Sequence, residues 1–209
     1  MALSIPDRVV VFDYGEVVSQ SPSEHDRAAL LAIADVPVEA FWNAYQLHRD
    51  DLDHGVVGIR DYWKRVAGEL GLDWSEARIQ QLWVADYRSW LSIEPTTFDI
   101  IADLNAGGTR IAMLSNAGFD FASPLRFAPI ARFFERVFIS AELGMLKPDP
   151  EIYQEVADEL GIALEQMIFI DNKQENVDGA NALGIRTHLF LGAGQLREFL
   201  DAVATQEKP

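Results

Sequence analysis

The chain has 209 residues, 49% hydrophobic and 24% charged, which excludes a disordered or fibrous protein and suffices for one α/β core plus a small accessory domain. Lys and Arg number 17 against 33 Asp and Glu, a formal charge of −16, so a nucleic-acid partner is not expected and any bound phosphate must find its positive charge locally. The absence of cysteine excludes disulfides, thiolate metal sites and a cysteine nucleophile together.

Met1 to Pro6 lack the basic-then-apolar pattern of a signal peptide, and no apolar run is long enough to span a bilayer. A cytoplasmic protein without a membrane partner is expected. Arg8 to Asp13 reads RVVVFD, a short β-branched run typical of a strand buried on both faces. From about Ser23 to Leu91 the apolar period becomes helical. One helix starts behind Ser21, Pro22 and Ser23, and a second follows Pro37. A third spans roughly Ile59 to Leu70 and stops at Gly71, and a fourth runs from Ser75 with Glu76 in its first turn. The aromatic side chains of this stretch (Trp42, Tyr45, Tyr62, Trp63, Trp83, Tyr87, Trp90) fall at helical spacing and read mostly as the core of a helical unit.

After Glu94-Pro95 strands and helices alternate. Apolar runs at 110–114, 136–139, 167–170 and 186–190 are separated or followed by helical patterns at 98–105, 151–160, 175–183 and 195–204. Helical crossovers of this length imply a parallel sheet. The reading is an α/β protein with a doubly wound, Rossmann-like parallel sheet. Its core takes residues 1–20 and 92–209, and an all-helical cap of residues 21–91 is inserted after the first strand.

In such sheets the working site lies at the carboxyl ends of the strands. The first strand ends in Asp13, the second in Ser115-Asn116, the loop after the third carries Lys147, and the fourth ends in Asp171-Asn172. Singly, each of these suits a helix cap or a solvated surface charge. Together they bring a carboxylate, a hydroxyl, an ammonium and a second carboxylate towards one crevice, a set suited to phosphoryl transfer. A carboxylate attacks phosphorus only when the repulsion between two anions is neutralised, which Mg²⁺ bridging both achieves. Ser115 and the amide of Asn116 are expected to donate to phosphoryl oxygens, and Lys147 to add fixed positive charge.

The four segments VVVFDYGEVV, IAMLSN, GMLKPDPEIY and IFIDNKQENVDGA resemble, in order, the four motifs of the haloacid dehalogenase superfamily. The likeness covers nearly the whole chain and is closest to the bacterial sugar-phosphatase-like branch, whose helical cap lies between the first two motifs. It implies a hydrolase, a small-molecule phosphorylated substrate and a Mg²⁺ cofactor in a monomer or homodimer. Asp13 would be nucleophile and metal ligand, joined at the metal by the Gly15 carbonyl, Asp171 and Asn172, while Ser115 and Lys147 hold the transferred group.

Two positions depart from that pattern. Gly15 stands where most phosphatases of the superfamily carry a second aspartate as general acid and base, a loss typically worth about 10²–10⁴ in rate. Leaving-group protonation then falls to water, the substrate or a cap residue; Glu16, next along, is expected to point away. Asn172 stands where relatives place a metal-binding acid, which weakens Mg²⁺ binding by one charge. In the cap, His48 and Arg49 begin a polar segment and are candidates for substrate binding, against the alternative of a solvated helix end. Two rival functions stand beside the phosphatase: a metal-free haloacid dehalogenase using the same carboxylate, and a non-catalytic binding protein on this scaffold. Against the dehalogenase, Tyr14 adjoins Asp13 instead of standing two residues on, and the first arginine after Asp13 is Arg27.

Overall fold

The structure, a computed structural model, describes residues 2–206. Five strands form one parallel sheet: β1 (Val9–Phe12), β2 (Arg110–Ser115), β3 (Arg136–Ile139), β4 (Met167–Asp171) and β5 (Arg186–Leu189), in the order β3-β2-β1-β4-β5. β1 pairs with β2 from Val9 opposite Arg110 and with β4 from Val9 opposite Met167. The whole of β1 and β4 is buried, which is why their apolar runs are continuous instead of alternating. The chain reverses direction across the sheet at β1, so the crevice at its carboxyl end is the natural ligand position.

Helices cover both faces: α6 (Pro95–Ala106), α7 (Phe119–Phe127), α8 (Ser140–Leu143), α9 (Pro150–Leu160), α10 (Gln174–Ala182) and α11 (Ala193–Gln206). One side of the sheet builds a core from Val10, Phe12, Ile101, Leu104 and Leu200, the other from Val9, Val11, Tyr153, Val156 and Phe169. The alternation of β1 between these two cores is the two-residue side-chain period of a strand. α7 was not expected from the sequence, because Pro124 interrupts it. Burial of Phe121, Ala122 and Leu125 offsets the hydrogen bond that the proline removes.

Between β1 and β2, among the described residues, lie helices and no strand of the sheet: α1 (Glu24–Ala34), α2 (Val38–Leu47), α3 (Arg49–Asp53), α4 (Ile59–Glu69) and α5 (Glu76–Ser89). Ser23 caps α1 in a reciprocal box with Asp26, and Ser75 caps α5 through the Arg78 N–H. Their buried side chains, from Leu30 to Ala85, form a cluster of their own around Phe41, Tyr62 and Trp63. The chain leaves and returns through a narrow neck. Ser19 bridges Ile93 antiparallel, and the amides of Gln20 and Glu94 donate to the carbonyls of Ser92 and Val18 at 2.7 and 2.9 Å. Among the described residues no helix is long and apolar enough to cross a membrane.

Candidate active site

Asp13 follows β1 directly, and its N–H continues the sheet ladder to the Ile170 carbonyl at 2.8 Å. That bond pins the first strand end to the fourth. Lys147, from the loop before α9, is buried and donates from Nζ to Asp13 Oδ1 (2.6 Å), Asp171 Oδ2 (2.7 Å) and the Leu114 carbonyl (3.0 Å). An ammonium has three protons, and here all three have acceptors. Lys147, expected to add fixed positive charge and to help hold the transferred group, here gives its three N–H groups to these acceptors. Its charge stands behind Asp13, where it holds one oxygen and neutralises part of the site.

Asp171 is fully buried and does not line the cavity. Its Oδ2 also accepts from Asn176 Nδ2 at 3.0 Å, and its Oδ1 accepts from the Lys173 N–H at 2.8 Å. Expected as a metal ligand, it is instead the anchor of Lys147. Two carboxylates thus share one ammonium. Burial, offset by Lys147 and reinforced by Asp171, pushes the Asp13 carboxyl up to about 6. The same two acids hold the Lys147 ammonium above its usual range against the opposing effect of burial.

Asn116 also takes a different task from the one expected. Its side-chain amide donates to the Lys147 carbonyl at 2.9 Å, and its Oδ1 accepts from the Lys147 N–H at 3.0 Å. Both ends of the amide clamp the backbone that carries the lysine. Ser115, the last residue of β2, is buried and lines the cavity.

These side chains form the floor of a cavity of about 490 Å³ whose roof is made by the inserted helices. Asp13, Gly15, Ser115, Asn116, Lys147, Asn172 and Arg49 line it together. His48 does not. Its Nε2 lies 3.2 Å from Glu69 Oε1 outside the cavity, so the substrate-binding expectation for His48 is set aside. Of the aromatic residues, Trp42, Tyr45 and Trp90 line the cavity, whereas Tyr62 and Trp63 are core.

Of the cavity residues that sequence reasoning missed, four bear on the chemistry. Asp53 and Asp86 stand beside Arg49, and Asn176 has its Oδ1 buried without any hydrogen-bond partner. The fourth is Glu16, which does not point away. It takes a left-handed backbone (φ 60°), lines the cavity, and its Oε2 accepts from Asn172 Nδ2 at 2.9 Å. A non-glycine residue in that region costs of order 1–3 kcal/mol, a cost found at functional sites. The Asp53-Arg49 spacing was readable as an i, i+4 pair, whereas Glu16 carried no signal short of its backbone angle.

Among the described residues no group of three or more His, Cys, Asp or Glu gathers as a metal cage. The residues present nevertheless fit Mg²⁺, which takes a carboxylate or two and keeps several waters. Asp13, Asn172 and Asn176 line the cavity; the amide nitrogens of both asparagines are held by Glu16 and Asp171, and the buried Asn176 Oδ1 lacks the donor that a bound water would supply. An ideal Cβ on Gly15 would lie 3.9 Å from Asp13 Oδ2, which places that backbone beside the carboxylate.

Residues 8–184 match the haloacid dehalogenase-like hydrolase family, and the chain belongs to it. It is similar to a phosphatase of Mycobacterium tuberculosis, at 27% identity over 90% of this chain and 89% of that one. Its fold is shared with a family enzyme of Bacteroides thetaiotaomicron solved with magnesium and inorganic phosphate, with a TM-score of 0.68 and 23% identity over 87% of this chain and 92% of that one. The fold is also that of the L-2-haloacid dehalogenase of Xanthobacter autotrophicus with chloropropionic acid covalently bound, with a TM-score of 0.63 and 22% identity over 86% and 76% of the two chains. The chain is thus a hydrolase, and the Mycobacterium tuberculosis relative is a phosphatase.

Proposed function

We propose that this chain is a Mg²⁺-dependent, cytoplasmic phosphatase that hydrolyses a small phosphate monoester, a sugar phosphate by preference, through an aspartyl-phosphate on Asp13. Residues 21–91 act as a cap domain over a core of residues 1–20 and 92–209. The observation that carries the reading is Asp13, held by Lys147 on the floor of a cavity roofed by the inserted helices.

A carboxylate oxygen of Asp13 bonds to phosphorus as the ester P–O bond breaks, and the departing alkoxide takes its proton from water, since Gly15 offers no side-chain acid. Water then attacks the aspartyl-phosphate, releasing phosphate and restoring Asp13. Ser115 donates to the phosphoryl oxygens, while Lys147, fixed by Asp171 and Asn116, keeps Asp13 ionised and oriented. Asp13, the Gly15 carbonyl and the Asn172 amide oxygen would hold Mg²⁺ beside Asn176, and the bound ion would supply positive charge to offset the repulsion between Asp13 and the incoming phosphate.

The test is hydrolysis of 4-nitrophenyl phosphate with Mg²⁺ and with EDTA. Turnover that needs Mg²⁺ is expected. Metal-independent release of chloride from 2-chloropropionate, with no phosphatase activity, would assign the dehalogenase reading instead.

The contact between Asn172 and Glu16 sharpens a second expectation. An acid at 172 would add attraction for the metal but would face the Glu16 carboxylate, which now accepts a hydrogen bond there. Asn172→Asp alone should therefore tighten Mg²⁺ less than Asn172→Asp with Glu16→Gln. The double variant should gain about tenfold, roughly 1.4 kcal/mol. Calorimetric Mg²⁺ titration reads this without turnover, and no gain in either variant would place Asn172 away from the ion.

A further inference from the structure

The cap side of the cavity carries a buried ionic cluster with an excess of acid. Arg49 on α3 donates from Nε to Asp53 Oδ2 at 3.2 Å and from Nη1 to the Tyr45 hydroxyl at 3.0 Å, and its Nη1 lies 3.6 Å from Asp86 Oδ2. The Tyr45 hydroxyl donates in turn to Asp86 Oδ1 at 2.9 Å. Two carboxylates from two helices thus share one guanidinium. Asp53 is 8% exposed, and its Oδ1, 3.1 Å from Arg49 Nε but outside hydrogen-bond geometry, is a buried acceptor without a donor. Trp90 Nε1, also buried, is directed at Asp86 and favours its charged form. Besides Lys147, the cavity's cations are Arg27 from the inserted helices and Lys173 from the core; both are exposed, where water screens them, although the Lys173 charge still reaches Asp53.

We infer that this cluster is the leaving-group subsite for an uncharged, hydroxyl-bearing alcohol, and that it rejects phosphate esters carrying a second anion. The inference rests on the phosphatase reading and names the class of ester. A hydroxyl both donates and accepts, so it can donate to the Asp53 or Asp86 carboxylate and accept from Arg49, all three of which line the cavity. Trp42, Tyr45 and Trp90 supply flat faces for the carbon skeleton. A carboxylate or second phosphate only accepts, so it cannot donate to either acid. It would also enter a pocket where Arg49 is already outnumbered by Asp53 and Asp86, and unpaired like charge in a desolvated site is the usual means of rejecting a wrong ligand.

The subsite is held in register with the floor. Ser140 Oγ donates to the Asp53 carbonyl and accepts from the Ala117 N–H at 2.9 Å, one residue after Asn116. His54 Nε2 is 2.7 Å from the Gly144 carbonyl, and Trp83 Nε1 donates to Asp120 Oδ2 at 2.8 Å. Asp53 therefore reaches the cavity from a backbone tied directly to the loop that presents Ser115. Asp53→Asn preserves that backbone link while removing the charge.

The test compares glycerol 3-phosphate with 3-phosphoglycerate at pH 8, esters that share a three-carbon skeleton and differ in a hydroxymethyl against a carboxylate. The wild type should favour the glycerol ester in kcat/KM by at least about tenfold, and Asp53→Asn should narrow that ratio by about tenfold. Asp86→Asn, which removes the second carboxylate charge, should narrow the ratio in the same direction, and it carries the test should Asp53→Asn fail to fold. A wild type that prefers the acid, or a ratio unmoved in the variants, overturns the inference. If both esters are inert while 4-nitrophenyl phosphate is cleaved, the subsite assignment falls and the phosphatase reading stands. Inertness towards all three brings down the phosphatase reading and the inference with it.

Discussion

Asp13→Asn should lower turnover of any phosphate ester by at least about 10⁴-fold while leaving a folded protein, because an amide at this position cannot form the covalent intermediate. Stability supplies an independent check. In the wild type two buried carboxylates share the Lys147 ammonium, whereas the variant pairs Lys147 with Asp171 alone. The folded Asp13 carboxyl lies at about 6 against 3.8 for a free one, so the native state binds this proton more tightly than the unfolded state. Its contribution to stability is fully present below pH 3.8 and is lost as pH rises through about 6. In EDTA at pH 8 the asparagine variant should melt no lower than the wild type, and any advantage should vanish towards pH 4. Retained phosphatase activity would refute the mechanism. A variant that melts well below the wild type at pH 8 would refute the electrostatic account.

Lys147→Met should do the opposite to stability. Removing the ammonium leaves Asp13 and Asp171 buried together without a counter-charge, and breaking a buried pair in this way costs about 3–5 kcal/mol. One of the acids must then take up a proton, so the loss should be largest above neutral pH and shrink on acidification. Turnover should fall by at least about 10³-fold, because the nucleophile loses both its charge and its orientation. The double variant Lys147→Met with Asp13→Asn should recover part of the stability and none of the activity, since it removes one of the stranded charges. Denaturant unfolding at pH 6 and pH 8 reads the first effect. Equal stability of the wild type and Lys147→Met at both values would mean that the pair is not coupled in solution.

The strand ends carrying Asp13, Ser115 and Asp171 were legible because a strand buried on both faces is a continuous apolar run, and the polar residue that ends it stands out. The helical insertion was legible for a similar reason: the side-chain period changes after Asp13 and changes back after Pro95. Length and capping chemistry then located Ser23 and Ser75 as helix starts. These are local signals, carried by neighbours within a few residues.

Everything that depends on which side chain meets which was decided by the tertiary structure. Lys147 reads as a phosphate-binding cation until Leu114, Asp13 and Asp171, from three different strand ends, take its three protons. Asn116 reads as a donor to the substrate until both ends of its amide close on the Lys147 backbone. Asp86 lies 41 residues from Tyr45 and on another helix, so no spacing rule could bring it to Arg49. His48 and Arg49 are adjacent in the chain, yet one meets Glu69 outside the cavity and the other lines it, because the chain changes direction at His48, the junction between α2 and α3. The sequence by itself determined the layers, the insertion and the candidate floor, since periodicity and strand-end polarity are properties of the local chain. Only the packed structure decided the roles, since the work of a buried polar group is set by the partners that folding brings within hydrogen-bond reach.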